Sequence, residues 1–326
     1  MSDTTRPTAS PPRTVPADAA FDGILPHRAD DPAFDALLAP GARLRRLATG
    51  AAWSEGPVWM PGRDCVLWSD IPNDRVLRWS ARGGAAVEEA PAAFPNGHAS
   101  DRRGGLLRCE HGNRRVIRIA ADGTRRVVAS HWRGLRLNSP NDVVVASDGA
   151  AWFTDPPYGI ASDHEGHAAP SEIGACHVYR VDPVTGEVAL AADGFEAPNG
   201  LAFSPDESVL YVSDTGYGLG GKNHHIVALD VEDGRRAVRP RVLAVIEPGR
   251  ADGFRVDEAG RIWTSTDASI DVLAPDGRRL GRVPVPERVA NCCFGGPDGR
   301  TLFVAASTSL YAIGTAVRDA AAAPFV

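Results

Sequence analysis

The sequence predicts an all-β fold, a six-bladed β-propeller with a central metal site. Two observations carry the architecture. Short strand-like runs alternate with Gly- and Asp-rich turns along most of the chain, and helical periodicity is nearly absent. One unit also recurs six times, with starts separated by about 40 to 60 residues, a period that belongs to propeller blades rather than to helical solenoids. A third observation, an oxygen-bearing side chain at the same corner of several units, points to the channel.

The chain opens with MSDTTRPTASPPRTVPADAA, which is rich in Pro, Thr and Ala and lacks the apolar stretch of a secretory signal. Residues 1–33 are therefore expected to form a flexible leader, and 34–326 a single propeller domain. Phe34 to Pro40 fits one or two helical turns. Ala42 to Thr49 reads as a strand without a hairpin of its own, free to pair with the last unit and close the ring. Ser54 to Ser80 then gives three strands, Pro57–Met60, Cys65–Ser69 and Arg75–Trp79, separated by turn sequences.

Asn96 to Gly123 forms the second unit. The third is the clearest: Ser139-Pro-Asn-Asp142 leads into Val143–Val145, an Asp-Gly turn and Ala151–Thr154. The fourth begins at Pro198, the fifth at Ala251 and the sixth at Asn291. Residues 161–174, with His164 and His167, look like an insertion at one rim. Most of the seven tryptophans fall within strands and are expected between blades.

Composition excludes several classes. A net charge of -6 with mixed signs argues against nucleic-acid binding, and no apolar run approaches the roughly 18 residues of a membrane span. The five cysteines are scattered, with Cys292 and Cys293 adjacent, which fits neither a disulfide framework nor a zinc motif. A cytoplasmic protein, a monomer or small homo-oligomer, is the expectation. There is no G-x-S-x-G elbow, phosphate loop or dinucleotide fingerprint, so covalent serine chemistry lacks support.

Glu55, Asn141, Asn199 and Asp252 each precede an innermost strand, and equivalent positions in a propeller converge on one mouth of the channel. Two carboxylates and two amide oxygens make a hard cage that suits one divalent ion, Ca²⁺ first and also Mg²⁺, Mn²⁺ or Zn²⁺. Each Asn-Gly, Asn-Asp or Asp-Gly pair alone would be an ordinary turn; their common phase distinguishes them. A water-filled polar channel is the alternative. Asn96, His98, Glu110, His111, Arg115, Asn138, Asp155 and Tyr158 are candidate substrate contacts.

The segments SEGPVW (54–59), SPNDVVVASDGAAWFTDPPYG (139–159), PNGLAFSPDESVLYVSD (198–214) and ADGFRVDEAGRIWTS (251–265) resemble the SMP-30/gluconolactonase/LRE-like family, over about Phe34 to Ile313. Residues 96–116 and the FTDPPYG run resemble its bacterial gluconolactonase branch. The resemblance implies a six-bladed propeller, one divalent metal on Glu55, Asn141, Asn199 and Asp252, and lactone hydrolysis with Asp252 as the usual candidate base. Animal members carry an arginine where this chain has Ser139, so their sugar recognition does not transfer.

In such a site a metal-polarised lactone carbonyl is attacked by water while a carboxylate takes the proton. The expected function is a metal-dependent lactonase acting on a small sugar lactone. The alternatives are a hydrolase of another lactone, ester or phosphotriester, and a non-catalytic binding propeller.

Overall fold

The computed structural model describes residues 28–101 and 103–321. Its strands form a six-bladed propeller, each blade an antiparallel sheet whose first strand lies innermost. The innermost strands are Ser54–Met60, Pro95–Ser100, Val143–Val145, Pro198–Phe203, Phe254–Val256 and Val289–Gly295. Each packs beside the next around the ring, the sixth returning to the first.

Closure uses the early strand that the sequence left unpaired. Arg45–Thr49 adds to the outer strand of blade six, Ser309–Gly314, in antiparallel register. Residues from both ends of the chain thus share one sheet, and the last blade gains its fourth strand. The expected helical turn is a 3₁₀ stretch, Pro32–Leu37, capped by Asp31, whose Oδ1 accepts the Ala33 N–H. Arg28–Ala29, placed in the leader from the sequence, instead pairs with Arg279–Pro284 as a fifth strand on blade five. The rest of the expected leader, 1–27, lies outside the described residues. A small hairpin between blades two and three, His131–Trp132 with Leu135–Arg136, was not foreseen.

The core is divided rather than central. Six apolar clusters each straddle two neighbouring blades, as alternating side chains of adjacent sheets require. Tryptophans fill these wedges: Trp59 stacks on Phe303 at 5.6 Å between blades one and six, and Trp152 meets Phe203 edge-on at 5.4 Å between blades three and four. Such pairs add about 0.5–1.5 kcal/mol beyond their buried area. With the apolar core moved into the wedges, the channel is left for polar side chains.

Candidate active site

Within two residues of the start of each inner strand, an oxygen-bearing residue stands at the same bend. Glu55, Asn96, Asn141, Asn199, Asp252 and Asn291 supply one side chain per blade. Four of the six bends carry a register shift, at Glu55/Val58, Pro95/His98, Pro198/Leu201 and Val289/Asn291. A bulge re-aims a side chain, and here the bends face the channel. The next position is small where neighbouring backbones touch: a Cβ on Gly56, at φ +51°, would lie 2.1 Å from the Asn96 carbonyl oxygen.

A second repeated device fixes this ring. The middle strands end in Ser69-Asp70, Thr154-Asp155 and Ser213-Asp214. Each hydroxyl donates to the next blade's ring residue, at the carbonyls of Asn96, Asn199 and Asp252, all at 2.7 Å. Each aspartate ties down the loop leading into its own inner strand, accepting the N–H groups of Ala52, Asn138 and Ala197 respectively. The ring is therefore held by the blades and by the contacts between them.

Around the ring the amides form a chain. Asn96 Nδ2 donates to Asn141 Oδ1 at 2.7 Å, and Asn141 Nδ2 donates to Asn199 Oδ1 at 2.6 Å. Asn199 Nδ2 continues to Thr215 Oγ1 at 3.3 Å, which meets the Tyr158 hydroxyl at 2.5 Å. Asn291 Nδ2 and the Gly56 N–H both donate to Glu55 Oε2, at 3.1 and 2.6 Å. Buried Asn96 Oδ1 has no partner among the described residues.

The ring's carboxylates disfavour their own ionisation. Burial, and then the charge of Asp252, push Glu55 well above the usual carboxylate range. Burial raises Asp252 to about 6 against the opposing pull of Arg288 and Arg250. Two carboxylates, one buried and one half-buried, amide oxygens with spare lone pairs and an orphaned Asn96 oxygen fit a hard divalent cation. Glu55, Asn141, Asn199 and Asp252 are the residues that would hold it. Among the described residues, no three His, Cys, Asp or Glu side chains are grouped to hold a metal, so the set depends on its amides.

Above the ring lies a cavity of about 200 Å³. Glu55, Asn96, Asn141, Asn199 and Asp252 form its floor; Trp53, Ile71, Tyr158, Glu165, Arg250 and Arg288 complete its lining. A larger depression of about 500 Å³ near Asp35–Ala42 is mostly apolar and gathers no comparable polar groups. Convergent chemistry, rather than size, marks the site.

The structure brings together all four expected metal ligands, and Asn96 and Tyr158 with them. His111 stands one hydrogen bond behind, its Nε2 at 3.1 Å from Asn96 Nδ2 and its Nδ1 at 3.1 Å from the Glu165 carbonyl oxygen. Burial lowers its pKa to about 4, so the ring is neutral and donates on one side while accepting on the other.

Like His111, five further expected substrate contacts do not line the cavity. His98 is buried in an inner strand, with Nδ1 at 2.8 Å from the Gly56 carbonyl oxygen of blade one. Glu110 is engaged by Arg108 at 2.8 Å and by Arg115 at 2.6 Å, which also occupies Arg115. Asn138 and Asp155 bind one another and hold a loop, with Asn138 Nδ2 donating to the carbonyls of Asp155 and Ala175.

The sequence reading missed Trp53, Ile71, Glu165, Arg250, Arg288 and Asn291. Asn291 was findable, because it occupies the same phase as the other five ring residues. Ile71 follows the repeated Ser/Thr-Asp pair, and Trp53, Glu165, Arg250 and Arg288 sit on loops that give no such signal.

Comparison with known proteins places this geometry among relatives. A family model described as the SMP-30/gluconolactonase/LRE-like region matches residues 53–308. A gluconolactonase of Zymomonas mobilis is 31% identical over 310 residues, covering 87% of this chain and 84% of the relative. A pentonolactonase of Haloferax volcanii is 31% identical over 268 residues, covering 80% of this chain and 83% of its own length. The solved structure of a gluconolactonase from Xanthomonas campestris superposes with a TM-score of 0.86 at 39% identity, covering 92% of this chain and 98% of that one.

Proposed function

The chain belongs to the SMP-30/gluconolactonase/LRE-like family, and we propose that it is a divalent-metal-dependent lactonase that hydrolyses a small sugar lactone. The gluconolactonase and pentonolactonase relatives support lactone hydrolysis. The observation that carries metal dependence is the pair of carboxylates lining one cavity, Glu55 buried and Asp252 half-buried, set among amide oxygens. The charge of Asp252 raises the pKa of Glu55, and a bound cation would relieve that repulsion.

Bound at Glu55, Asn141, Asn199 and Asp252, a divalent ion supplies Lewis-acid polarisation of the lactone carbonyl. The protein's own groups do the rest. Asn96 and Asn291 hold Asn141 and Glu55 in place through the hydrogen bonds described above. Arg250 and Arg288 stand where they can donate to substrate oxygens, Arg288 lying 5.3 Å over the Trp53 ring. At about 200 Å³ the cavity is smaller than the roughly 300–1,000 Å³ of drug-sized sites, which favours a single sugar ring. Asp252 serves first as a ligand; a carboxylate shared with a metal is a weak base.

Among the described residues no helix is long and apolar enough to cross a membrane. All five cysteines are free and four of them buried, which supports a reducing, cytoplasmic setting.

The test is acid release from glucono-1,5-lactone, counted above its spontaneous opening, before and after chelation and with Ca²⁺, Mg²⁺, Mn²⁺ or Zn²⁺ restored. Turnover should vanish with the metal and return with at least one ion. Undiminished turnover in protein verified metal-free would remove the metal from the mechanism. Metal binding without turnover of this or other aldonolactones would remove the sugar lactone.

A further inference from the structure

We propose that Glu165, carried into the cavity by the loop 161–174, is the proton acceptor for the attacking water. This rests on the lactonase reading above and assigns one of its catalytic roles. Three carboxylates line the cavity, Glu55, Asp252 and Glu165. The first two belong to the ring that would hold the ion. Glu165 comes from outside the repeat and is not grouped with the other two as a third ligand. Its half-buried carboxylate has no hydrogen-bond or ion-pair partner among the described residues, whereas buried carboxylates nearby do. Asp142 accepts the Val143 N–H and lies 3.5 Å from Arg255, and Asp155 accepts the Asn138 N–H.

The backbone of the loop is pinned on both sides of Glu165. The His167 N–H donates to the Gly159 carbonyl and the Ala169 N–H to the Ile160 carbonyl, each at 3.0 Å. Gly166 packs so tightly that a Cβ there would lie 2.1 Å from the Gly159 carbonyl oxygen. The Glu165 carbonyl itself accepts from neutral His111, whose other nitrogen accepts from Asn96 of the ring. Loop and ring are thus tied through one imidazole. Burial, followed by the charge of Asp252, raises the Glu165 pKa, while His164 and Arg288 oppose the rise; a net upward shift makes the carboxylate a stronger base.

The step balances without a further reactant. Water oxygen forms a bond to the carbonyl carbon as one of its protons passes to the Glu165 carboxylate. The ring C–O bond then breaks, and the departing alkoxide takes that proton back. The product is the open hydroxy acid, with Glu165 again ionised.

The experiment compares wild type, Glu165→Gln, Glu165→Asp and Glu165→Ala in glucono-1,5-lactone turnover, Ca²⁺ calorimetry and thermal melting. Glu165→Gln should lower kcat by about 10²- to 10⁴-fold, the usual range for losing a general base, with KM and Ca²⁺ affinity within about threefold of wild type. Glu165→Asp should retain part of the rate, and added formate should restore turnover to Glu165→Ala. A kcat for Glu165→Gln within about threefold of wild type, in protein that melts normally, would overturn the proposal. So would Ca²⁺ binding weakened tenfold or more, which would make Glu165 a ligand, or an Ala variant that formate cannot rescue. A wild type that turns over neither this nor other aldonolactones would instead bring down the sugar-lactonase reading, visible before any variant is compared.

Discussion

The six side chains that ring the channel come one from each blade, at the same bend of each inner strand, whereas the mouth is shaped by connections that no two blades share. Ring positions are set by strand pairing and locked by hydroxyl and aspartate contacts repeated in blades one, three and four. Trp53, Tyr158, Glu165, Arg250 and Arg288 stand on loops or a single helical turn. A scaffold of this kind can keep one metal chemistry while its loops change the substrate. Ring substitutions should therefore act on metal binding, and mouth substitutions on substrate handling with the metal undisturbed.

The largest effect should come from Glu55→Gln. It removes one of two ring carboxylates and leaves Asn291 Nδ2 and the Gly56 N–H facing a neutral group. Metal polarisation is worth several kcal/mol, so turnover should fall by at least about 10³-fold, with Ca²⁺ binding lost in calorimetry. Retained binding would show that the ring is not the metal site. Asn96→Ala is the next step down. Asn96 donates to Asn141 Oδ1, and groups that orient a ligand are typically worth about 10- to 100-fold in metal affinity. Affinity unchanged by this substitution would break the view of the ring as one connected unit.

That same division explains what could be read from sequence. Glu55, Asn141, Asn199 and Asp252 were legible because a repeat places equivalent residues at equivalent depth, and Asn291 needed only the same rule applied to the last unit. His98 stays out of the cavity for a local reason. It lies two residues after Asn96, but the register shift between Pro95 and His98 turns it toward blade one instead of the channel. Glu110 and Arg115 are cross-strand partners in the sheet, and pairing of opposite charges there consumes both. Asp155 resembled a loop acid, whereas its place after Thr154 makes it part of the device seen again at Asp70 and Asp214. Glu165 and the two arginines had no counterpart in other blades, so only the folded chain could bring them to the cavity.

Arg250 tests the mouth alone. Its guanidinium has no hydrogen-bond or ion-pair partner among the described residues, lines the cavity and packs against Gly218. A charge-assisted hydrogen bond contributes about 1.5–3 kcal/mol, so Arg250→Ala should raise the KM for glucono-1,5-lactone at least about tenfold. Ca²⁺ affinity should stay within about twofold. A loss of Ca²⁺ binding equal to the loss of turnover would erase the distinction between mouth and ring.

Tyr158 gives the smallest and sharpest test, because it belongs to both regions. Its ring lines the mouth, while its hydroxyl meets Thr215 Oγ1, which accepts from the ring residue Asn199. Tyr158→Phe removes one neutral hydrogen bond, worth about 1 kcal/mol, and should cost about fivefold in turnover. What matters is where that cost appears. If the chain of amides and hydroxyls acts as a unit, the effects of Tyr158→Phe and Asn199→Ala on Ca²⁺ affinity should be non-additive in a double-mutant cycle, with a coupling of at least about 0.5 kcal/mol. Additive effects on Ca²⁺ affinity would confine Tyr158 to the substrate wall and place the edge of the metal-binding unit at Asn199.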